Sequence, residues 1–475
     1  MSSAATARTG PAARLMAATR SGPLGVRDFR LFTIGQLTST IGDFCYAVAL
    51  PWLVLSTNGG TVLLGTVLAC YGIPRTVLIP LGGALSDRLS ARSVMLVADS
   101  VRCVLVAVLA VLAARGLASI GYLGPVAALI GAGEGLFLPA SAAIMPSLLP
   151  ADDLQAGNGL SAAAIQFGSL AGPVLGGILV GLAGGSATAF AVDAATFAVS
   201  AGALALMRGR RQPATAAAGS PAAAARPEGT AAGHGSAAAA PESPGTADSA
   251  PAGTGQTAPE PTGVWQLLRQ AREFQMILVV AVLANFVIAA AFEVALPTLA
   301  HSRFGAAYSY GALVASFGLG SLTGTLIAAR LKSLRRPSMS ACAGIIISAV
   351  AVALVPYLGG LPGAAAGAAV FGGAAYFGNV VYITVVQRWA PAHLMGRVMS
   401  LIMLAAIGTY PISVALSGVI IRSTGPAPFF PIAGAVLLVA ILAAMSQRRF
   451  RDFGARDDAE PDDSGPDQAA VVAAR

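Results

Sequence analysis

The chain has 475 residues, of which 56% are hydrophobic and only 11% charged, and its mean hydropathy is +0.74. A soluble domain carries about 25% charged residues, so composition excludes an ordinary soluble globular protein and points to a chain built for a bilayer. The formal net charge of +8 raises nucleic acid as a partner, but the placement of the basic residues argues against it.

Residues 1–28 carry Arg8, Arg14, Arg20 and Arg27 without an apolar stretch. They read as a cytosolic tail rather than a cleaved signal peptide. A spanning helix needs ~20 mostly apolar residues. Such runs are expected at about 29–55, 61–85, 94–114, 120–146, 155–182 and 186–207, with ends good to a few residues. The segment 208–262 is almost all Ala, Gly, Pro, Ser and Thr. It cannot bury a core and is expected to be a disordered cytosolic linker. "GVWQLLRQARE", 263–273, reads as an amphipathic interfacial helix. Six more spans are expected at about 274–300, 308–331, 338–358, 362–388, 394–421 and 426–446. Residues 447–475, with "RDDAEPDDSGPDQ", read as a disordered tail.

The expected fold is therefore all-α and integral to the membrane. Twelve transmembrane helices form two pseudo-symmetric six-helix bundles, 29–207 and 274–446. The strings "FLPASAAIMPSLLPADDLQAGNGLS" and "FGNVVYITVVQRWAPAHLMGRVMS" echo each other at equivalent places in the two halves, as internal repeats do.

Loop charges orient the bundle. With the N-terminus inside, one set of loops carries Arg88, Arg92, Arg208, Arg210, Arg211, Lys332, Arg335, Arg336, Arg388, Arg397, Arg448, Arg449 and Arg451. The other set holds only Arg115, Arg303 and Arg422. By the positive-inside rule both termini are cytosolic in a cell membrane. The basic residues line a membrane face and form no nucleic-acid patch.

Several chemistries lack their residues. Lys332 is the only lysine and follows Leu331, so there is no phosphate-binding "GK[ST]" loop and ATP is not the expected energy source. His234, His301 and His393 fall outside the spans. Cys45, Cys70, Cys103 and Cys342 are isolated. No metal, disulfide or cofactor is expected, and no enzymatic activity.

Two segments carry motifs. "GGALSDRLSARS" after the second helix holds Gly83, Asp87, Arg88 and Arg92. Gly83 is expected to let two helices approach closely, and Asp87 puts a carboxylate at the membrane edge. A solvated loop that only sets topology is the alternative. "GLSAAAIQFGSLAGPVLGG" in the fifth helix holds Gly159, Gly168, Gly172, Pro173, Gly176 and Gly177. Glycines at these intervals make a smooth packing groove, and Pro173 permits a bend. Ordinary small-residue packing is the alternative.

The first motif resembles the G-x-x-x-D-R-x-x-x-R signature of the major facilitator superfamily, where it acts as a latch between halves. Ser90 stands where that family usually has Gly, and Ser93 where it usually has a basic residue. The second motif is similar to G-x8-G-x3-G-P-x2-G-G of the twelve-helix drug–proton antiporter branch. "GQLTSTIGDFCYAVALPWLV", "FLPASAAIMPSLLP" and "AVDAATFAVSA" further resemble the branch that includes macrolide efflux proteins and the enterobactin exporter. The likeness covers residues 27–207 well, and 274–446 in layout more than in letters.

Charges inside a membrane cost about 2.5–3.5 kcal/mol on insertion scales and mark function by default. Asp43, Arg75 and Glu134 all fall near mid-depth. Asp43 and Arg75 can pair at that level. By the resemblance, Asp43 and Glu134 face a central cavity, where a desolvated carboxylate can carry a proton. The coupling site is then Glu134 or Asp43, tuned by Arg75. A permanent Asp43–Arg75 pair that only orders the bundle is the alternative. Asp99 and Arg102, three residues apart, are expected to pair with each other or with the 87–92 loop. Asp193 and Glu293 read as nearer the outer ends of their helices. Asn285 and Asn379 are candidate substrate contacts.

The resemblance implies a monomeric secondary transporter that exports small amphipathic molecules against protons. An importer or facilitator of a polar metabolite, and a non-transporting sensor or partner, are the competing readings.

Overall fold

The computed structural model describes residues 22–57, 59–117, 119–182, 184–208, 272–331, 336–390 and 394–451. Apart from residues 208, 272 and 273, the linker and amphipathic-helix readings, 208–262 and 263–273, lie outside the described residues, as do most of both tails.

Among these residues twelve helices are long and apolar enough to cross a membrane. They are α1 Arg27–Ser56, α2 Gly60–Leu89, α3 Ala91–Ala114, α4 Ile120–Ala143, α5 Leu154–Leu182 and α6 Ser186–Leu206. The second half has α7 Arg272–Phe304, α8 Ala307–Arg330, α9 Pro337–Leu354, α10 Gly360–Trp389, α11 Met395–Thr424 and α12 Pro426–Met445. Their outer faces expose Val77, Val97, Val104, Leu182, Leu404 and Val439. A soluble protein avoids such continuous apolar surface, and lipid covers it here.

Two helices are irregular for a reason written in the sequence. In α7 the α-helix Arg272–Ala290 gives way to a π-helical turn, Ala291–Ala295, before Leu296–Phe304. Pro297 cannot donate to the carbonyl four residues back, that of Glu293, and the ladder re-registers there. In α11 Thr409 separates Met395–Gly408 from Tyr410–Thr424, just ahead of Pro411. Pro411 has no N–H to donate to the Ile407 carbonyl four residues back, which weakens the helix at this point.

Helices pack where small residues let backbones meet. Gly131 and Gly135 of α4 sit against the main chain of Tyr71 and Arg75 in α2. Gly320 and Gly324 of α8 sit likewise against Ala369 and Gly373 of α10. The same helix pair in each half is thus locked by glycines four apart, which is the internal repeat in physical form.

We call the end where α1 begins and α12 finishes the basic face. The buried apolar core is one cluster across both halves at the opposite face, including Val54, Leu64, Phe190, Leu299, Tyr310 and Phe430. Toward the basic face it divides into a first-half cluster around Phe29 and Met95 and a second-half cluster around Phe274 and Val386. Contacts between the halves follow this division. Thr61 Oγ1 donates to the Gly418 carbonyl at 2.8 Å, and the rings of Trp52 and His301 lie 5.0 Å apart. Both contacts are near the opposite face, so the halves are sealed there and part toward the basic face.

The loop between α2 and α3 turns on Ser90, whose φ is 89°. This left-handed region favours glycine. The Ser90 hydroxyl accepts from the Ser93 amide at 3.3 Å, a weak cap for α3. Ser90→Gly is expected to raise the melting temperature, by a gain of up to about 1 kcal/mol from relieved strain less a lost cap. Thermal unfolding of detergent-solubilised protein measures it.

Candidate functional site

Mid-depth charges from five helices of the first half converge. Tyr71 and Arg75 are one turn apart on α2 and so share a face. Gly131 and Gly135 bring that face against α4, where Glu134 lies between them. Arg75 Nη2 reaches Glu134 Oε1 at 3.2 Å, and the Tyr71 hydroxyl donates to Glu134 Oε2. Gly133 on the same turn leaves room for the Arg102 side chain.

Arg102 of α3 is 3% exposed and pairs with Asp43 of α1. Its Nη1 lies 3.9 Å from Asp99 Oδ1, and its guanidinium sits 4.2 Å from the centre of the Phe197 ring. Asp99 Oδ2 accepts from Ser200 Oγ of α6 at 2.6 Å. Asp193, also on α6, is 1% exposed, and its Oδ2 has no partner among the described residues. A cavity of about 90 Å3 joins these groups; Asp43, Tyr46, Glu134 and Asp193 line it, with Glu293 of α7 and Tyr410 of α11 from the other half.

The expected Asp43–Arg75 pair is therefore replaced by two others, Asp43–Arg102 and Arg75–Glu134. Residue counts along a helix give depth but not direction. Arg75 is turned to α4 by its position one turn after Tyr71. Asp99 and Arg102 do approach each other, yet Arg102 also serves Asp43. Glu293 and Asp193, read as nearer the outer ends, are members of the cluster. For Glu293 the overlooked signal is Pro297, which marks the irregular turn that carries it.

Asn285 and Asn379 lie elsewhere. They line a cavity of about 550 Å3 whose walls come from α7, α9, α10, α11 and α12, with Phe450. Every lining residue belongs to the second half, and none is Asp, Glu, His, Lys or Arg. Asn285 Nδ2 donates to the Ala281 carbonyl at 2.9 Å, Asn379 is exposed to the cavity, and the Tyr382 hydroxyl is buried without a partner among the described residues. Asp43 and Glu134, which the resemblance puts on a central cavity, and the candidate substrate contacts Asn285 and Asn379 thus line two separate cavities: a charged one and an apolar one with amide and hydroxyl groups.

The motif residues separate into contacts and bystanders. Gly168, Gly172 and Gly176 form a stripe against Thr40, Ile41, Phe44 and Cys45 of α1. Gly177 faces Tyr308 and Gly311 of α8, and the Pro173 carbonyl lies at Gly311, so α5 is clasped between its own half and the other. Gly159 meets nothing within 4 Å. Gly83 does not make the close approach expected of it, since its side is open, whereas Gly82 packs on Leu136 of α4. Asp87 and Arg88 are exposed and form no ion pair among the described residues. Arg92 instead ties α3 to the end of α6, donating from Nε to the Leu204 carbonyl at 2.8 Å and from Nη2 to that of Ala205 at 2.9 Å.

The family model of the Major Facilitator Superfamily matches residues 32–409, and the chain belongs to that superfamily as a multi-pass membrane protein. Multidrug efflux pump Tap of Mycolicibacterium fortuitum is 30% identical over 199 residues, 41% of this chain and 47% of that protein. Multidrug efflux pump Tap of Mycobacterium tuberculosis (strain ATCC 25618 / H37Rv) is 28% identical over 189 residues, 38% of this chain and 43% of that protein. The match thus spans less than half the length of these relatives. Among solved structures, the nucleoside transporter NupG aligns with a TM-score of 0.65 at 12% identity, over 88% of this chain and 99% of that one. A bacterial homologue of the iron transporter ferroportin in an inward-facing state aligns at 0.62 with 14% identity, over 90% and 99%. These likenesses establish the fold.

Proposed function

We propose that the chain is a proton-coupled exporter of small amphipathic molecules that works by alternating access. The observation that carries this reading is the pairing of an apolar cavity of about 550 Å3 with a mid-membrane charge cluster beside it. The cluster has five carboxylates, Asp43, Asp99, Glu134, Asp193 and Glu293, and two guanidiniums, Arg75 and Arg102. Uncompensated charge in a dry interior is costly, so mobile cations balance the excess, and protons are the ones that need no coordination shell. Glu134 or Asp43 is the carboxylate that exchanges them.

The apolar lining favours amphipathic cargo over a polar metabolite, and the efflux function named for the relatives supports export. The basic face is the cytosolic one, with both termini on it. Residues 29–207 and 274–446 are the rocking units, and the contact of Pro173 and Gly177 of α5 with Tyr308 and Gly311 of α8 is their bearing. The protein acts as a monomer in the cell membrane.

Accumulation of a panel of amphipathic dyes tests this. Cells expressing the chain are expected to hold less dye than cells without it. Asn379→Leu is expected to weaken export of dyes bearing hydrogen-bonding groups about fivefold, the value of one hydrogen bond. Equal accumulation with and without the chain, across the panel, contradicts export.

A further inference from the structure

Two helices line both cavities, and each is irregular between them. In α7, Ile288 lines the apolar cavity and Glu293 the charged one, about 7.5 Å apart along the axis, and Glu293 sits in the π-helical turn. In α11, Ala406 lines the first and Tyr410 the second, with the break at Thr409 between them. Ser413 Oγ fastens the two helices by donating to the Phe286 carbonyl at 2.6 Å.

Glu293 is the one carboxylate of the second half that lines the charged cavity. It is half-buried and has no ion pair or hydrogen bond among the described residues. Glu134, which holds Arg75 of α2, lines the same cavity as Glu293. Arg75 pairs with Glu134 through one nitrogen only, and its buried Nε has no partner among the described residues. Lining the cavity with Glu293 are Tyr46 of α1, Tyr71 of α2, Arg102 of α3, Glu134 of α4 and Tyr410 of α11. Asp43 and Asp193 share the cavity, and α12 contributes no lining residue to it.

We propose that Glu293 is the alternate partner of Arg75, and that passage of Arg75 between Glu134 and Glu293 couples the charge cluster to the ligand cavity. The proposal rests on the reading of this chain as a proton-coupled transporter and adds the residue that links its halves. Arg75 stays charged throughout. When it leaves Glu134 for Glu293, Glu134 takes up one proton from the outer side and Glu293 gives up one to the cytosolic side, so each carboxylate is matched at every stage by the guanidinium or by a proton and one proton crosses inward. The pull on Glu293 acts on the turn already loosened by Pro297, and α7 carries it to Ile288 and Asn285 in the cavity wall. A π-helical turn is suited to this, because such turns shift register at low cost and recur at functional sites.

The test uses the full chain in proteoliposomes with phenylnaphthylamine, an uncharged aromatic fluorophore suited to the apolar lining. Binding, exchange without a gradient, and accumulation driven by an imposed proton gradient are compared in wild type, Glu293→Gln and Glu293→Asp. For Glu293→Gln, binding and exchange are expected to stay within about twofold of wild type while driven accumulation falls about tenfold or more, with partial recovery in Glu293→Asp. Equal loss of binding and driven accumulation in Glu293→Gln marks a structural residue and overturns the proposal. Wild-type driven accumulation in Glu293→Gln sinks this proposal alone. Absence of driven accumulation in the wild type sinks the transport reading beneath it as well.

Discussion

Arg102→Met is expected to destabilise the protein by about 3–5 kcal/mol, the cost of removing one partner from a buried ion pair. Arg102 holds Asp43 directly, approaches Asp99, and packs on Phe197. Asp99 is 0% exposed, so without the guanidinium it keeps only the Ser200 hydroxyl as a partner. Detergent-solubilised Arg102→Met is expected to melt well below wild type and to aggregate on size exclusion. Arg102→Lys keeps the charge and the apolar stem, and is expected to recover part of the loss. A wild-type melting temperature for Arg102→Met contradicts the role assigned to this arginine.

The second large effect is expected at Gly135. A Cβ there would meet the Arg75 backbone, with Cα at 3.1 Å, and main chain cannot swing aside as a side-chain tip can. Gly135→Val must push α2 from α4, at a cost of about 1–3 kcal/mol from overpacking. The same displacement separates Arg75 from Glu134, so driven transport is expected to fall about tenfold or more even where the protein still folds. Gly83→Ala is the matched control: it adds a methyl group where nothing lies within 4 Å and is expected to leave melting and transport unchanged. Equal behaviour of the two variants contradicts the packing argument.

These two sites show what the sequence could and could not reveal. The twelve spans are legible because ~20 apolar residues in a row leave few alternatives in a bilayer, and the structure moves most ends by only a few residues. The mid-depth charges are legible for the same reason. Their partners are not, since a residue number sets height on a helix while the rotation of each helix against its neighbours sets direction. That rotation is carried by glycines such as Gly131, Gly133 and Gly135, whose string "GAGEG" surrounds Glu134 and holds the missing information. Glu293 does lie nearer the outer end of its helix, but its place in the cluster is not legible from the span alone, because the irregular turn ahead of Pro297 carries it. The apolar cavity was foreshadowed by Asn285 and Asn379 but not by its walls, which come from five separate helices.

The most direct test of the central claim is proton movement on substrate addition. Proteoliposomes loaded with a pH-sensitive dye receive phenylnaphthylamine, and internal pH is followed for wild type, Asp43→Asn and Glu134→Gln. The account predicts a pH change with wild type and its loss in at least one of the two variants. A pH change that persists at wild-type size in both contradicts it.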